Sequence, residues 1–269
     1  MENIAHGGYH DSGDIHHEVE LSPWPLVTAL GSFLIPISFM LTFSWGMSHL
    51  GLLMAGVALV VLITGLFGWL SEVHAKKGEN KISMTAIIIF ICSEVALFGG
   101  LFGGYLYTLL PSELWPPAST PAGVPPMGLA VVMTIFLISS SATIHSAESK
   151  LEKGDSGGAS SGLIFTFILG FAFVACMAYE WHHLISTGFS VSTNEYGMFF
   201  YLITGFHGSH VIVGLIMQLF VLTMVKRGRI SKDRHVFATV TGLYWHFVDI
   251  VWLLVVSLIY IIPYVKTGQ

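Results

Sequence analysis

Residues 196–225 read YGMFFYLITGFHGSHVIVGLIMQLFVLTMV, thirty in a row without an Asp, Glu, Lys or Arg. As a helix this run spans ~45 Å at ~1.5 Å per residue, more than the ~30 Å hydrocarbon core of a bilayer. In a bilayer every backbone N–H and C=O must be satisfied within its own segment, which makes such a run stable as a helix. Six further stretches are almost as free of charge: 26–45, 50–70, 82–110, 127–147, 162–185 and 236–262. The sequence therefore predicts an all-α, polytopic membrane protein with seven transmembrane helices.

Composition agrees. The chain is 54% hydrophobic and 10% charged, whereas soluble domains are about 25% charged. Seven helices with short connections use nearly all of the 269 residues. We expect a polar tail over 1–21 and a single seven-helix membrane domain over 22–265. The net charge of −5 lies in the loops, and no basic patch points to nucleic acid. Cys92 and Cys176 fall inside spans and read as free buried thiols.

The basic residues set an expected orientation. Lys76, Lys77 and Lys81 separate spans two and three, and Lys150 and Lys153 separate four and five. Lys226, Arg227, Arg229, Lys232 and Arg234 separate six and seven, so ten of the eleven basic residues share one face, with only Lys266 opposite. Positively charged loops stay inside, which places the amino terminus inside and the carboxyl terminus outside.

The head carries His6, His10, His16 and His17 among Gly, Asp and Glu. It reads as a solvated tail, with nothing resembling a secretory leader. Residues 111–126 contain six prolines and read as a stiff, irregular connector. Residues 154–162, rich in Gly and Ser, read as a flexible link. Trp24, Trp45, Trp69 and Trp181 lie near span ends, as interfacial anchors do. The glycines at 99, 100, 103 and 104 and the run Ser139, Ser140, Ser141 permit close helix packing.

Ionisable groups inside a bilayer are costly, and each calls for a functional hypothesis. Glu94 sits ~18 Å into span three, His207 ~16 Å into span six, and His246 ~15 Å into span seven at the helical rise. His210 follows His207 by three residues and Asp249 follows His246 by three, each pair on one helical face. Glu180 lies further along span five and approaches the outer end beside Trp181, His182 and His183. Three readings of this polar layer stay open on spacing alone. The groups can ligate a metal or haem, Glu94 can relay protons, or the polar side chains can bond helix to helix. A retinal pump is excluded by the absence of lysine from span seven, and no hydrolase elbow is present.

Five stretches resemble one family. HEVELSPWP (17–25), FICSEVALFGGLF (90–102), AYEW (178–181), GFHGSHVIVG (205–214) and YWHFVDIVW (244–252) are similar, in order, to segments of subunit III of haem–copper cytochrome c oxidases. The likeness runs from about His17 to Tyr264. It implies two helices set apart from five around a lipid-holding cleft, with Glu94 as the buried carboxylate lining that region. It also implies that His207, His210, His246 and Asp249 bridge helices and ligate no metal. Haem and copper would then belong to partner subunits I and II, and this chain would carry structural phospholipid and no redox centre of its own.

The family role is to sit against subunit I, support proton uptake on the inner side and protect the oxidase from inactivation during turnover. Membership of a larger respiratory supercomplex is compatible with that role. The implied location is a bacterial inner membrane or the mitochondrial inner membrane. Where the family often has arginines after the second helix, this chain reads WLSEVHAKKG, leaving Lys76 and Lys77 as lipid-headgroup candidates beside Lys226 and Arg227. Met133 and Thr134 stand where the family commonly has Asn-Thr, and Ala147–Glu148 replaces a more basic ending. Seven helices favour the cytochrome c type over five-helix quinol-oxidase relatives. A standalone membrane haem or metal enzyme and a transporter are the alternatives of a different class.

Overall fold

The computed structural model describes residues 23–75, 80–231 and 235–267, all of them helices and connections apart from one isolated bridge residue at Ser231. Helix α1, Trp24–Phe39, runs on through a π-helical stretch, Met40–Ser44. It is followed by α2, Ser48–Ala75, and α3, Asn80–Leu109. Then come α4, Met127–Glu152, α5, Ser156–Ser186, and α6, Glu195–Lys226. The last span, α7, covers Val236–Val255 and continues through a π-helical stretch, Val256–Ile261, into Ile262–Thr267. Seven of these helices are long and apolar enough to cross a membrane, as the charge map predicts. The lysines at 76 and 77, the histidine-rich head, Lys232 and Arg234 lie outside the described residues.

The chain divides into two compact units, one holding α1 and α2, the other α3 to α7. In the first, the two helices approach backbone to backbone: a Cβ on Gly31 would lie 2.5 Å from the backbone nitrogen of Leu62. Small residues are what allow such an approach where lipid supplies no hydrophobic drive between helices.

In the second unit α6 is the central helix. It buries 44% of its apolar span against 11% for α3, so α3 presents a broad apolar face that includes Ile88, Ile89, Val95 and Leu97. Cys92 lies on that exposed face, and only Cys176 is partly buried; the expectation of two buried thiols holds for neither in full. A large aromatic core joins Phe173, Phe200, Tyr244, Trp245 and Trp252.

Residues 154–162 are not a flexible link. Helix α5 begins at Ser156, because the Asp155 carboxylate accepts the Gly158 N–H at 2.8 Å. Ala159 and Leu163 then pack against Ala147, Leu151, Val221 and Val225. The small residues serve close packing there, and α4 correspondingly extends past the expected end at 147 to Glu152. Asp155→Ala is expected to cost about 1 kcal/mol of stability, read as a lower midpoint in denaturant titration of the detergent-solubilised protein. An unchanged midpoint would show that the packing alone sets the start of α5.

The proline-rich connector is tied down rather than loose. Trp115 is buried at 2% exposure, and its indole N–H donates to the Tyr105 hydroxyl at 3.0 Å. Tyr105 in turn donates to the Leu258 carbonyl at 2.9 Å, and Tyr196 to the Ile259 carbonyl at 2.8 Å. Both acceptors lie in the π-helical stretch of α7, where the shifted ladder lets carbonyls bond outside their own helix. Asn194 caps α6 through Gly197 N–H and links to Ser119 and Thr120 of the connector.

Candidate functional site

Two of the polar groups expected from sequence meet directly. Glu94 of α3 and His210 of α6 place Oε2 and Nε2 3.0 Å apart, with side chains 15% and 11% exposed. The other ring nitrogen, Nδ1, lies 2.8 Å from the Phe206 carbonyl oxygen. A carbonyl can only accept, so Nδ1 carries a hydrogen, assigned here from the network. The Nε2–Oε2 contact therefore holds one proton, carried by either the carboxyl or the imidazole. Phe98 packs edge-on and Phe206 tilted against the imidazole, and the Tyr244 hydroxyl of α7 donates to the His210 carbonyl at 3.1 Å. Three helices thus converge on this one pair.

His207, one residue triplet earlier, faces elsewhere. It is fully buried, tilted against Trp252 at 5.1 Å and edged by Phe173 at 5.7 Å, with no hydrogen-bond partner for either nitrogen among the described residues. His246 bonds Ser141 of α4 through Nδ1 at 2.8 Å. Asp249 stands 3.9 Å from that nitrogen, beyond hydrogen-bonding range. A pocket of about 260 Å³ opens here, lined by Leu137, Ser141, His246, Asp249 and Trp252 among others. The four expected bridging residues therefore split into a paired His210, a solitary His207, and His246 with Asp249 at a separate place.

Glu180 is near the C-terminal end of α5, yet its side chain is buried among the helices. It is 1% exposed and accepts the Tyr260 hydroxyl at 2.8 Å. Its neighbour Trp181 also turns inward, donating to Thr204 at 3.3 Å, so the anchoring role expected for that indole gives way to a helix–helix bond. Lys226 and Arg227 are exposed at the end of α6.

Sequence reading missed a set of bonds between α4 and α7. The indole of Trp252 donates to Thr134 at 3.0 Å, and that of Trp245 to Ser140 at 2.9 Å. From Thr134–Trp252 to Ser140–Trp245 the numbers rise along α4 as they fall along α7, the mark of an antiparallel pair, and His246 on Ser141 adds a bond beside the second. The usable signal was the match of adjacent polar residues, Ser140-Ser141, to the adjacent donors Trp245-His246.

A family model described as Cytochrome c oxidase subunit III matches residues 14–264. A probable cytochrome c oxidase subunit 3 of Nocardia farcinica is 38% identical over 192 residues, covering 71% of this chain and 93% of that protein. The cytochrome c oxidase subunit 3 of Synechocystis is 35% identical over 192 residues, 71% of this chain and 80% of that protein. That of Mycosarcoma maydis is 29% identical over 260 residues, 91% of this chain and 93% of that protein. Matched along nearly its whole length, and carrying all seven spans, the chain belongs to the cytochrome c oxidase subunit III family.

Proposed function

We propose that this chain is the non-redox third subunit of a proton-pumping haem–copper terminal oxidase, docked mainly on subunit I with subunit II in the same complex. Haem and copper reside in those partners, and this chain retains structural phospholipid and supports proton uptake. Its amino terminus faces the inner side of a bacterial or mitochondrial inner membrane, where Lys226 and Arg227, together with Lys76 and Lys77, meet anionic headgroups.

The observation that carries the reading is the Glu94–His210 pair. A carboxyl on α3 and an imidazole on α6 share one proton, 3.0 Å apart, and the other face of α3 is exposed and apolar. Such a face suits acyl chains, and such a pair holds a proton at a fixed point without exposing a lone charge to hydrocarbon. Neither feature provides for electron transfer.

Glu94→Gln keeps the shape and one hydrogen bond. In the purified oxidase it is expected to leave haem content and initial electron-transfer rate within about twofold of wild type. Bound phospholipid and the number of turnovers before inactivation are expected to fall. Loss of haem would contradict the reading, as would unchanged lipid and durability. Mass spectrometry of what co-purifies with the tagged chain tests the assembly itself. Recovery with a haem–copper subunit and a copper-bearing partner supports it, and recovery of the folded chain alone points to a standalone protein.

A further inference from the structure

We infer that His145 and Glu148 of α4 and His246 of α7 form a binding site for a divalent cation of the zinc type, clasping the two helices together. The potential ligand atoms of these three residues all lie within 4.8 Å of one another. Spacing of three along α4 puts His145 and Glu148 on one face, and the antiparallel pairing brings His246 opposite them.

The surroundings look built for this purpose. Ser141 holds Nδ1 of His246 at 2.8 Å, with Asp249 behind it at 3.9 Å. That leaves Nε2 as the ligand and provides the oxygen partner that ligating imidazoles commonly have on their second nitrogen. Gly242, one turn before His246, makes room for the carboxylate: a Cβ there would lie 2.5 Å from the Glu148 carboxyl carbon. Glu148 accepts no hydrogen bond among the described residues, so its carboxylate is available. Exposed Glu152, one turn further along α4, adds negative charge on the approach from the loop end.

The donor set selects the class of ion. Two imidazoles and one carboxylate suit zinc, which takes them at ~2.0–2.2 Å and completes a tetrahedron with water. Magnesium and calcium prefer all-oxygen sites. Closing from 4.8 Å to tetrahedral spacing asks for small rotations only, and His145 is exposed and free to make them. This site shares only His246 with the polar layer read from sequence, and it departs from the expectation that the chain holds no metal. The site rests on these three residues, and its test rests on the proposed function only in using the assembled oxidase, whose haem reports assembly separately from zinc.

The test is zinc content of the purified oxidase, with wild-type and variant chains, after equilibration with micromolar zinc and removal of excess. Haem absorbance normalises each sample and confirms assembly. Wild type is expected to hold about one zinc per complex that is missing from both His145→Gln and Glu148→Gln and retained by Glu152→Gln. His145 is exposed, so its replacement leaves the fold intact. Absorption at the zinc edge is expected to report nitrogen and oxygen ligands at ~2.0–2.1 Å. Equal zinc in wild type and the two ligand variants, equal loss in Glu152→Gln, or sulfur ligation would each overturn the proposal.

Discussion

Trp245→Ala is expected to destabilise the five-helix unit by about 3–5 kcal/mol. The indole is fully buried and fills the slot left by two glycines. A Cβ on Gly170 of α5 or on Gly214 of α6 would lie 2.7 Å from its ring. Its N–H also reaches Ser140 of α4 at 2.9 Å. One side chain of α7 thus touches three other helices, and its removal leaves a cavity that glycine neighbours cannot fill. Trp245→Phe restores most of the volume and is expected to cost about 1 kcal/mol, the share of the hydrogen bond. The readout is the midpoint of denaturation in mixed detergent micelles. If the alanine variant fell within about 1 kcal/mol of wild type, the slot would have collapsed around the void, and Trp245 would not be what holds the four helices together.

His210→Leu comes next, at an expected cost of about 1–3 kcal/mol, because it strands the Glu94 carboxyl without its partner. The informative comparison is the double replacement, Glu94→Leu with His210→Leu. Removing both members of a buried pair is often milder than removing one, so the double variant is expected to be more stable than His210→Leu alone. Additive losses, measured by the same titration, would show that the two groups act independently despite their 3.0 Å contact.

The spans were legible because hydrocarbon tolerates so few charges that their absence alone marks seven helices. Helix ends were less so. At 154–162 the glycines and serines that suggest mobility in water instead let α5 lie close to α4. The polar residues themselves stood out, but partners did not. Spacing of three placed His207 and His210 near one face, yet the turn between them directs one to Trp252 and the other to Glu94. Periodicity assigns a side chain to a sector of its own helix and says nothing of which helix is opposite. His145 drew no notice, and Glu148 only as a departure from the family, for a different reason: they lie in the last turns of α4, where ionisable groups are cheap and draw no question.

The π-helical stretch of α7 has a consequence for biosynthesis. The Tyr105 hydroxyl finds its acceptor at Leu258, 153 residues downstream, and at about 5–20 residues per second the ribosome needs roughly 8–30 s to deliver it. By the end of that interval Tyr105, Glu180 and Tyr196 have all been made and still lack the partners at 258–260 that the end of α7 supplies. These bonds therefore close only at the end of translation, after the other helices have been made. A nascent chain stalled before Val256 would carry these groups unsatisfied, a signature by which membrane quality control could tell an unfinished copy from a finished one.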